Sequence, residues 1–267
     1  MPGDKVAQSQ DKVRRVTAKL KARLKAGEKL LGAWTMSNSP DNAEVMAQAG
    51  VDFILMDHEH GQATLPDAIA QLRAMKGTDC AGMMRVPWND MIFIKRALDA
   101  GIHGVMVPQV NTAEEARAAV AACRYPPRGI RGAAGGTRAA SYGGDAGYYD
   151  RADEELIVIV QIETPQAVEN AAAIAAVNGV DVVFVGPRDM SAALGKLNKF
   201  DDPELRALIA KVEQATLASG KALGTVAPTA AQVKELFGRG YTFLISGSDL
   251  SHLRGGITQM MKDAGLK

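Results

Sequence analysis

The stretch that decides the fold is LIVIVQIETPQAVENAAAIAAVNGVDVVFVGPRDM, residues 156–190. Its first part, Leu156 to Ile162, is a β-branched and aliphatic run, which is typical of a strand buried on both faces in a parallel sheet. Asp181 to Val185 repeats this pattern. The segment between them predicts a helix that begins at Thr164-Pro165 and ends at Asn178-Gly179. The stretch as a whole therefore predicts one β-α-β unit.

Two carboxylates, Glu163 and Asp189, follow the ends of these two strands. A right-handed crossover brings both strand ends to the same side of the sheet, so the two side chains should converge. Facing carboxylates repel each other and take up a proton unless a cation lies between them. This predicts a divalent metal, Mg²⁺ or Mn²⁺, with Co²⁺ or Zn²⁺ able to substitute. The alternative is that both are ordinary acids at helix starts, where the helix dipole favours them.

The same alternation of strand and helix continues along the chain from residue 30. Eight predicted strands with no polar linker between them favour one (β/α)₈ barrel, a TIM barrel, over a doubly wound sheet. We predict a single domain over residues 1–267, with residues 1–10 flexible. The predicted strands span residues 30–36, 51–56, 83–86, 104–107, 156–162, 181–185, 222–226 and 241–245.

Two segments stand outside this alternation. Residues 11–26 carry Val13, Val16, Leu20 and Leu24 at helical spacing among basic residues, which predicts an extra N-terminal helix. Because only one face is apolar, packing is favoured over a membrane or nucleic-acid role. Residues 126–150 are rich in glycine, which predicts a loop excursion with a short helix near its end. This excursion is either a lid or a tolerated insertion.

Composition excludes several classes of function. A net charge of +1 and an aromatic content of 5% give no electrostatic or stacking surface for nucleic acid. No run of about 18 apolar residues is present, so no membrane span is predicted. Cys80 and Cys123 have no CxxC spacing, which is typical of a reducing compartment. We therefore expect a cytoplasmic protein.

Side chains at the strand ends provide the candidate site. They comprise acids, one amide, one imidazole and one guanidinium: Asp57, Glu59, His60, Arg85, Gln161, Glu163 and Asp189. No lysine follows a strand directly, because Lys29 and Lys221 precede their strands, so no Schiff base is expected. The predicted metal would then activate a carbonyl group as a Lewis acid.

Alternatives remain for individual residues. His60 could be a structural loop histidine. Arg85 ends an apolar strand and would be a buried cation without an anion to meet, which favours a functional role. Four other side chains are interpreted as structural because nothing in the pattern assigns them a role: His58, Glu59, His103 and His252.

Five segments, in order, closely resemble the HpcH/HpaI aldolases, and the likeness covers nearly all of the chain from about Leu20. They are MDHEHG (56–61), RVPWND (85–90), RYPPRGIRG (124–132), VQIET (160–164) and VGPRDMSAALG (185–195). The resemblance implies a metal-dependent class II aldolase of the pyruvate type, which splits a 2-oxo acid into pyruvate and an aldehyde. It also implies a homo-oligomer, commonly a hexamer. Apolar residues of the last helix, Ile257, Met260 and Met261, fit such contacts or packing on the chain's own barrel.

The resemblance also implies roles for individual residues. Glu163 and Asp189 would bind the metal, His60 would act as acid and base, and Arg85 would hold the keto oxygen of pyruvate and its enolate. Asp99 would orient His60. The 2-oxo acid end would contact Gln161 and the backbone around Gly186, Arg188 and Asp189. The chain departs from the family pattern at His58, Arg188 and GTVAPT (224–229). These departures leave the implied chemistry intact, but they leave the identity of the aldehyde open.

Other functions stay open from the sequence. Relatives of this family use the enolate for other carbon–carbon bonds, as a citrate synthase does. The turn Ser246-Gly247-Ser248 before the last helix could instead bind phosphate, as in isomerases and synthases of this fold. A non-catalytic oligomer subunit is disfavoured by the full set of acid, base and arginine.

Overall fold

Eight parallel strands close into a barrel in sequence order in the computed structural model, which describes residue 16 and residues 18–266. This confirms the (β/α)₈ prediction, while the assignment of one domain over residues 1–267 stays a prediction. Residues 1–10, predicted to be flexible, lie outside the described residues. The strands are β1 (Leu30–Thr35), β2 (Phe53–Asp57), β3 (Ala81–Arg85), β4 (Gly104–Val107), β5 (Ile157–Ile162), β6 (Val182–Val185), β7 (Ala222–Val226) and β8 (Phe243–Ser248).

Helices connect each strand to the next, with the first helix before β1 and the last after β8. They are α1 (18–25), α2 (Pro40–Gln48), α3 (Leu65–Ala74), α4 (Met91–Asp99), α5 (Ala113–Cys123), α6 (Tyr148–Glu155), α7 (Pro165–Glu169), α8 (Ala171–Ala175), α9 (Pro187–Ala193), α10 (Pro203–Ser219), α11 (Ala230–Gly238) and α12 (Asp249–Asp263). In the described part of the chain, no helix has the length and apolar character that crossing a membrane requires.

The helix predicted after β5 is interrupted, and α9 was not predicted. Asn170 separates α7 from α8. Its side-chain amide donates to the backbone oxygens of Asn111 and Gln166, and such side-chain bonding competes with regular helix. Pro187 begins α9 instead of only ending β6, because proline is well suited to the first turn of a helix.

Alternation along the strands decides which side chains enter the barrel. Phe53 and Leu55 of β2 belong to the inner apolar cluster, whereas Ile54 and Met56 pack outward against the helices. Because side chains alternate between faces, Asp57 at the end of β2 also faces inward. Arg85, the last residue of β3, pairs in register with Asp57 on the neighbouring strand β2. The barrel is thus apolar below and polar at its carboxyl mouth.

The N-terminal helix packs against the barrel, as predicted. Val16, Leu20 and Leu24 are buried and join the inner cluster, so α1 covers the apolar interior. Lys21 is buried beside them, and its Nζ donates to Leu156 O and to Asp181 Oδ2, the latter at 3.0 Å. Val13, the fourth residue of the predicted apolar face, lies outside the described residues.

The glycine-rich excursion does not cover the mouth of its own barrel. It follows α5 and therefore starts at the amino end of the strands. Arg138 Nη1 donates to Ala100 O at 2.8 Å, and Ala139 N donates to Asp99 O at 3.1 Å, both just before β4. Of the two interpretations, a lid over this chain's own site is wrong. The predicted short helix near its end is α6, which starts at Tyr148.

Candidate active site

A bidentate ion pair joins the ends of β2 and β3. Arg85 Nε donates to Asp57 Oδ1 at 3.0 Å, and Arg85 Nη2 donates to Asp57 Oδ2 at 2.6 Å. Asp57 is 1% exposed and Arg85 is 8% exposed. A guanidinium and a carboxylate fit each other in this fork, which fixes both groups. Asp57 therefore anchors Arg85 at the mouth.

Two further groups contact the same guanidinium. Glu59 Oε2 lies 3.0 Å from Arg85 Nη1, and the Trp34 ring centroid lies 4.4 Å from Arg85 Cζ. Glu59 Oε2 also lies 3.9 Å from Nε2 of His60, whose side chain is 59% exposed. Glu59 thus lies between the fixed guanidinium of Arg85 and the solvent-facing imidazole of His60.

The loop after β2 is wound tightly around Asp57. Asp57 Oδ1 accepts hydrogen bonds from the backbone N–H of Glu59 at 3.1 Å and of His60 at 3.2 Å. A Cβ atom at Gly61 would lie 2.1 Å from Asp57 O, so this close approach requires glycine. The sequence DHEHG therefore folds so that its first acid organises the residues that follow.

Glu163 lies across the mouth, at the end of β5. It is 2% exposed. Its Oε1 accepts from the backbone N–H of Gln109 at 2.8 Å, and its Oε2 accepts from Gln161 Nε2 at 3.3 Å. Gln109 has φ of 54°, in the left-handed region. A Cβ at Gly186 would lie 2.6 Å from Glu163 Oε2, so the small residue after β6 leaves room for this carboxylate.

Electrostatics at the mouth favour a bound cation. Burial, together with the charges of Asp189 and Glu59, raises the pKa of Glu163 to about 7, although the hydrogen bond from Gln109 N–H and the charge of Arg85 oppose this shift. Burial also raises the pKa of Glu59, against the influence of Arg85 and His60. Burial opposes ionisation of Asp57, but its hydrogen bonds and charge contact with Arg85 outweigh this and lower its pKa. Negative charge is thus in excess around one guanidinium.

The donor set fits an oxygen-preferring metal. Glu163 is buried and Asp189, in the first turn of α9, is half-buried. Gln161 Oε1 is buried and accepts no hydrogen bond within the described structure. Over residues 16 and 18–266, no three His, Cys, Asp or Glu side chains are arranged to bind an ion by themselves. A metal at Glu163 and Asp189 would therefore keep positions for water or substrate oxygens.

The structure does not bring Asp99 to His60, so the expected orienting contact is absent within one chain. Asp99 ends α4, on the amino side of the barrel, whereas His60 follows the carboxyl end of β2. Asp99 Oδ1 instead accepts from Arg131 Nη2 at 2.8 Å. Arg131 also donates to the Tyr148 hydroxyl at 3.1 Å and lies over the Tyr125 ring. This cluster fixes the excursion to α4.

The start of α12 does not offer a free phosphate site. Residues 246–248 belong to β8 and not to a separate turn. Ser248 Oγ caps Ser251 N at 3.2 Å, and Asp249 Oδ1 accepts from Leu250 N at 2.9 Å. Asp249, 5% exposed, also binds the backbone N–H of Met36 at 2.9 Å. A buried carboxylate here opposes a phosphate, so the predicted phosphate alternative loses its support.

Comparison with known proteins agrees with this arrangement. The sequence profile of the family described as HpcH/HpaI aldolase/citrate lyase matches residues 30–255. The chain is 40% identical over 245 residues to the 5-keto-4-deoxy-D-glucarate aldolase of Shigella dysenteriae serotype 1 (strain Sd197), covering 92% of this chain and 95% of the relative.

Solved structures show the same likeness. An HpcH/HpaI aldolase/citrate lyase family protein from Burkholderia cenocepacia J2315 has a TM-score of 0.90 at 35% identity, covering 92% of this chain and 98% of that one. An HpcH/HpaI aldolase from Desulfitobacterium hafniense DCB-2 has a TM-score of 0.84 at 30% identity, covering 91% and 95%. The chain belongs to the HpcH/HpaI aldolase family and is a carbon–carbon lyase.

Proposed function

We propose that the chain cleaves a 4-hydroxy-2-oxo acid reversibly to an aldehyde and pyruvate, or a pyruvate analogue, with a divalent metal bound by Glu163 and Asp189. The observation that carries this proposal is the excess of carboxylates around the fixed guanidinium of Arg85. Oxygen donors alone favour Mg²⁺ or Mn²⁺ over softer ions. A metal bound there would act as a Lewis acid on the 2-oxo acid.

Arg85 is the proposed electrostatic partner of the keto oxygen. Its guanidinium carries five N–H donors, and two of them donate to Asp57, while Nη1 lies 3.0 Å from Glu59 Oε2 as an ion pair without a hydrogen bond. The other donors can be directed to an oxygen on which charge develops. Because Asp57 and the Trp34 ring hold the group in place, little reorganisation is needed when the enolate forms.

His60 is the proposed acid and base. In cleavage, the C3–C4 bond breaks, its electron pair forms the enolate of pyruvate, and the proton of the 4-hydroxyl group passes to the imidazole. The 4-hydroxyl oxygen becomes the aldehyde oxygen, and a proton returned to C3 completes pyruvate. An imidazole at the rim can exchange this proton with water, which fits its exposed position. Glu59, 3.9 Å away, is placed to stabilise the protonated ring.

The experiment that tests this proposal follows pyruvate release from 4-hydroxy-2-oxo acids, with each of several divalent ions added to chelated protein. We expect turnover only with a metal present. Inhibition by oxalate, a mimic of the pyruvate enolate, together with insensitivity to inorganic phosphate, separates this function from that of a phosphate-binding isomerase.

Metal binding is expected to release a proton below neutral pH. Burial raises the pKa of Glu163 to about 7 in the metal-free protein. The protonated carboxyl therefore stabilises the folded metal-free protein at low pH, and this stabilisation is lost as the pH rises through about 7. The metal binds only the carboxylate, so calorimetry in buffers of different ionisation enthalpy should show about one proton released per Mn²⁺ at about pH 6 and nearly none at about pH 8. Proton release independent of pH would contradict this.

The proposed assembly is a homo-oligomer, with six copies by family resemblance. On α12 only Asp249 is buried, Met261 is half-buried, and Ile257 and Met260 are exposed, which supports contacts with another copy over packing of these residues on their own barrel. Leu250, Leu253, Ile257 and Met260 are 48–59% exposed and repeat at spacings of three and four residues, which is typical of helix pairing. Light scattering of the purified protein measures the number of copies.

The proposed location is the cytoplasm. Cys80 and Cys123 are buried and unpaired, as expected in a reducing compartment.

A further inference from the structure

We propose that Arg188 binds a carboxylate carried by the aldehyde half of the substrate and so selects substrates with an acid group at both ends. This inference rests on the proposed function and deepens it. Arg188 precedes Asp189 in the first turn of α9, at the carboxyl end of β6. Its side chain is exposed, whereas that of Asp189 is half-buried. The backbone of Arg188 therefore lies at the same mouth as the proposed metal ligand, and its side chain extends from there into solvent.

The backbone of Arg188 is fixed while its charged group is free. Ser191 Oγ donates to Arg188 O at 2.6 Å and accepts from Asn198 N at 3.1 Å, and Ser191 is fully buried. Among the residues that the structure describes, the guanidinium of Arg188 makes no ion pair or hydrogen bond. The backbone of Arg188 is thus held at the rim, and the N–H donors of its guanidinium are available to a ligand.

The neighbouring cationic side chains already form ion pairs with carboxylates of this chain. Arg85 is bound by Asp57 and Glu59, and Lys196, at the end of the same loop region, is bound by Asp202 at 2.9 Å and by Glu204 at 2.8 Å. A second anionic group on the substrate would therefore meet Arg188 more readily than either of these. Guanidinium and carboxylate also match in shape, since two parallel hydrogen bonds can form between them.

Substrate chemistry supplies such an anion. The 2-oxo acid end would lie at Glu163, Asp189 and Arg85, so the aldehyde half must extend from them toward the rim. The relative at 40% identity is named for a glucarate derivative, and a glucarate carries a carboxylate at each end of its carbon chain. Removing pyruvate from such a molecule leaves an aldehyde that retains the far carboxylate. An unpaired arginine next to a metal ligand is suited to that group.

The test compares two aldehydes of equal length in the aldol direction with pyruvate and Mn²⁺. Tartronate semialdehyde carries a carboxylate where glyceraldehyde carries a hydroxymethyl group. For wild type we expect a higher kcat/KM with the acidic aldehyde. Arg188→Gln should lower the ratio of the two kcat/KM values about 10- to 100-fold, the range expected for a hydrogen bond to a charged group. Arg188→Lys should retain part of the preference because it keeps the charge.

A matched control is Arg206→Gln, which removes an exposed arginine of α10 that pairs with Asp201. It should retain the wild-type ratio. If Arg188→Gln leaves the ratio unchanged, or lowers both values equally, the Arg188 proposal is overturned while the aldolase activity stands. If wild type forms no product with either aldehyde under any metal, the proposed function fails and the role of Arg188 fails with it.

Discussion

Glu163→Gln is expected to lower kcat about 10³-fold or more, because a Lewis-acid metal is worth several kcal/mol and each 1.4 kcal/mol is about a factor of ten in rate. The substitution keeps the shape of the side chain and can still accept from Gln109 N. It removes one of the two charges proposed to bind the metal. Calorimetric titration with Mn²⁺ should show a parallel loss of affinity.

The control for Glu163→Gln is the same change at Glu169, which is exposed at the end of α7. Glu169→Gln should leave kcat and metal affinity at their wild-type values. Wild-type turnover in Glu163→Gln, or lost turnover with unchanged metal affinity, would remove Glu163 from the proposed metal site.

Arg85→Ala is expected to reduce kcat about 10²-fold or more, the loss typical of a removed oxyanion donor. It also leaves Asp57, which is 1% exposed, as a buried carboxylate without its partner. Such a change costs about 3–5 kcal/mol of unfolding free energy, which urea denaturation would measure. Arg85 is thus expected to contribute to both rate and stability.

Arg85→Lys separates these two contributions. Lysine keeps a positive charge near Asp57 but lacks the planar fork, so the protein should remain folded while kcat stays well below that of wild type. Full turnover in Arg85→Lys or Arg85→Ala would exclude Arg85 from the stabilisation of the enolate.

Most of the barrel could be predicted from the sequence because each strand is an apolar run that ends at a polar residue or a break. Strand bounds differ by a few residues, as at β8, where the strand continues to Ser248. The two short helices after β5 could not be predicted, because the interruption depends on Asn170 reaching Asn111, which is distant in sequence.

The site was predicted less completely than the fold. Asp57 was recognised at a strand end but given no role, although the alternation Phe53, Leu55, Asp57 already directs it inward. Glu59 was interpreted as structural, yet it contacts both Arg85 and His60. These contacts depend on the parallel register between β2 and β3, which no local pattern specifies.

Asp99 lies away from His60 within one chain, a separation that the sequence did not indicate. Its role came from resemblance alone, and its position on α4 decides the outcome. A helix that follows a barrel strand ends on the far side of the barrel, so its last residues cannot reach the mouth of the same chain. Asp99 accordingly binds Arg131 of the excursion.

The central claim is that a metal, and not a lysine Schiff base, stabilises the enolate. The most direct measurement is retro-aldol turnover of a 4-hydroxy-2-oxo acid after exhaustive EDTA treatment and again after Mg²⁺ or Mn²⁺ is restored, with borohydride added to a parallel sample. We predict that chelation abolishes turnover, that the metal restores it, and that borohydride traps no substrate adduct. Full turnover after chelation, together with a trapped adduct on the protein, would contradict the claim.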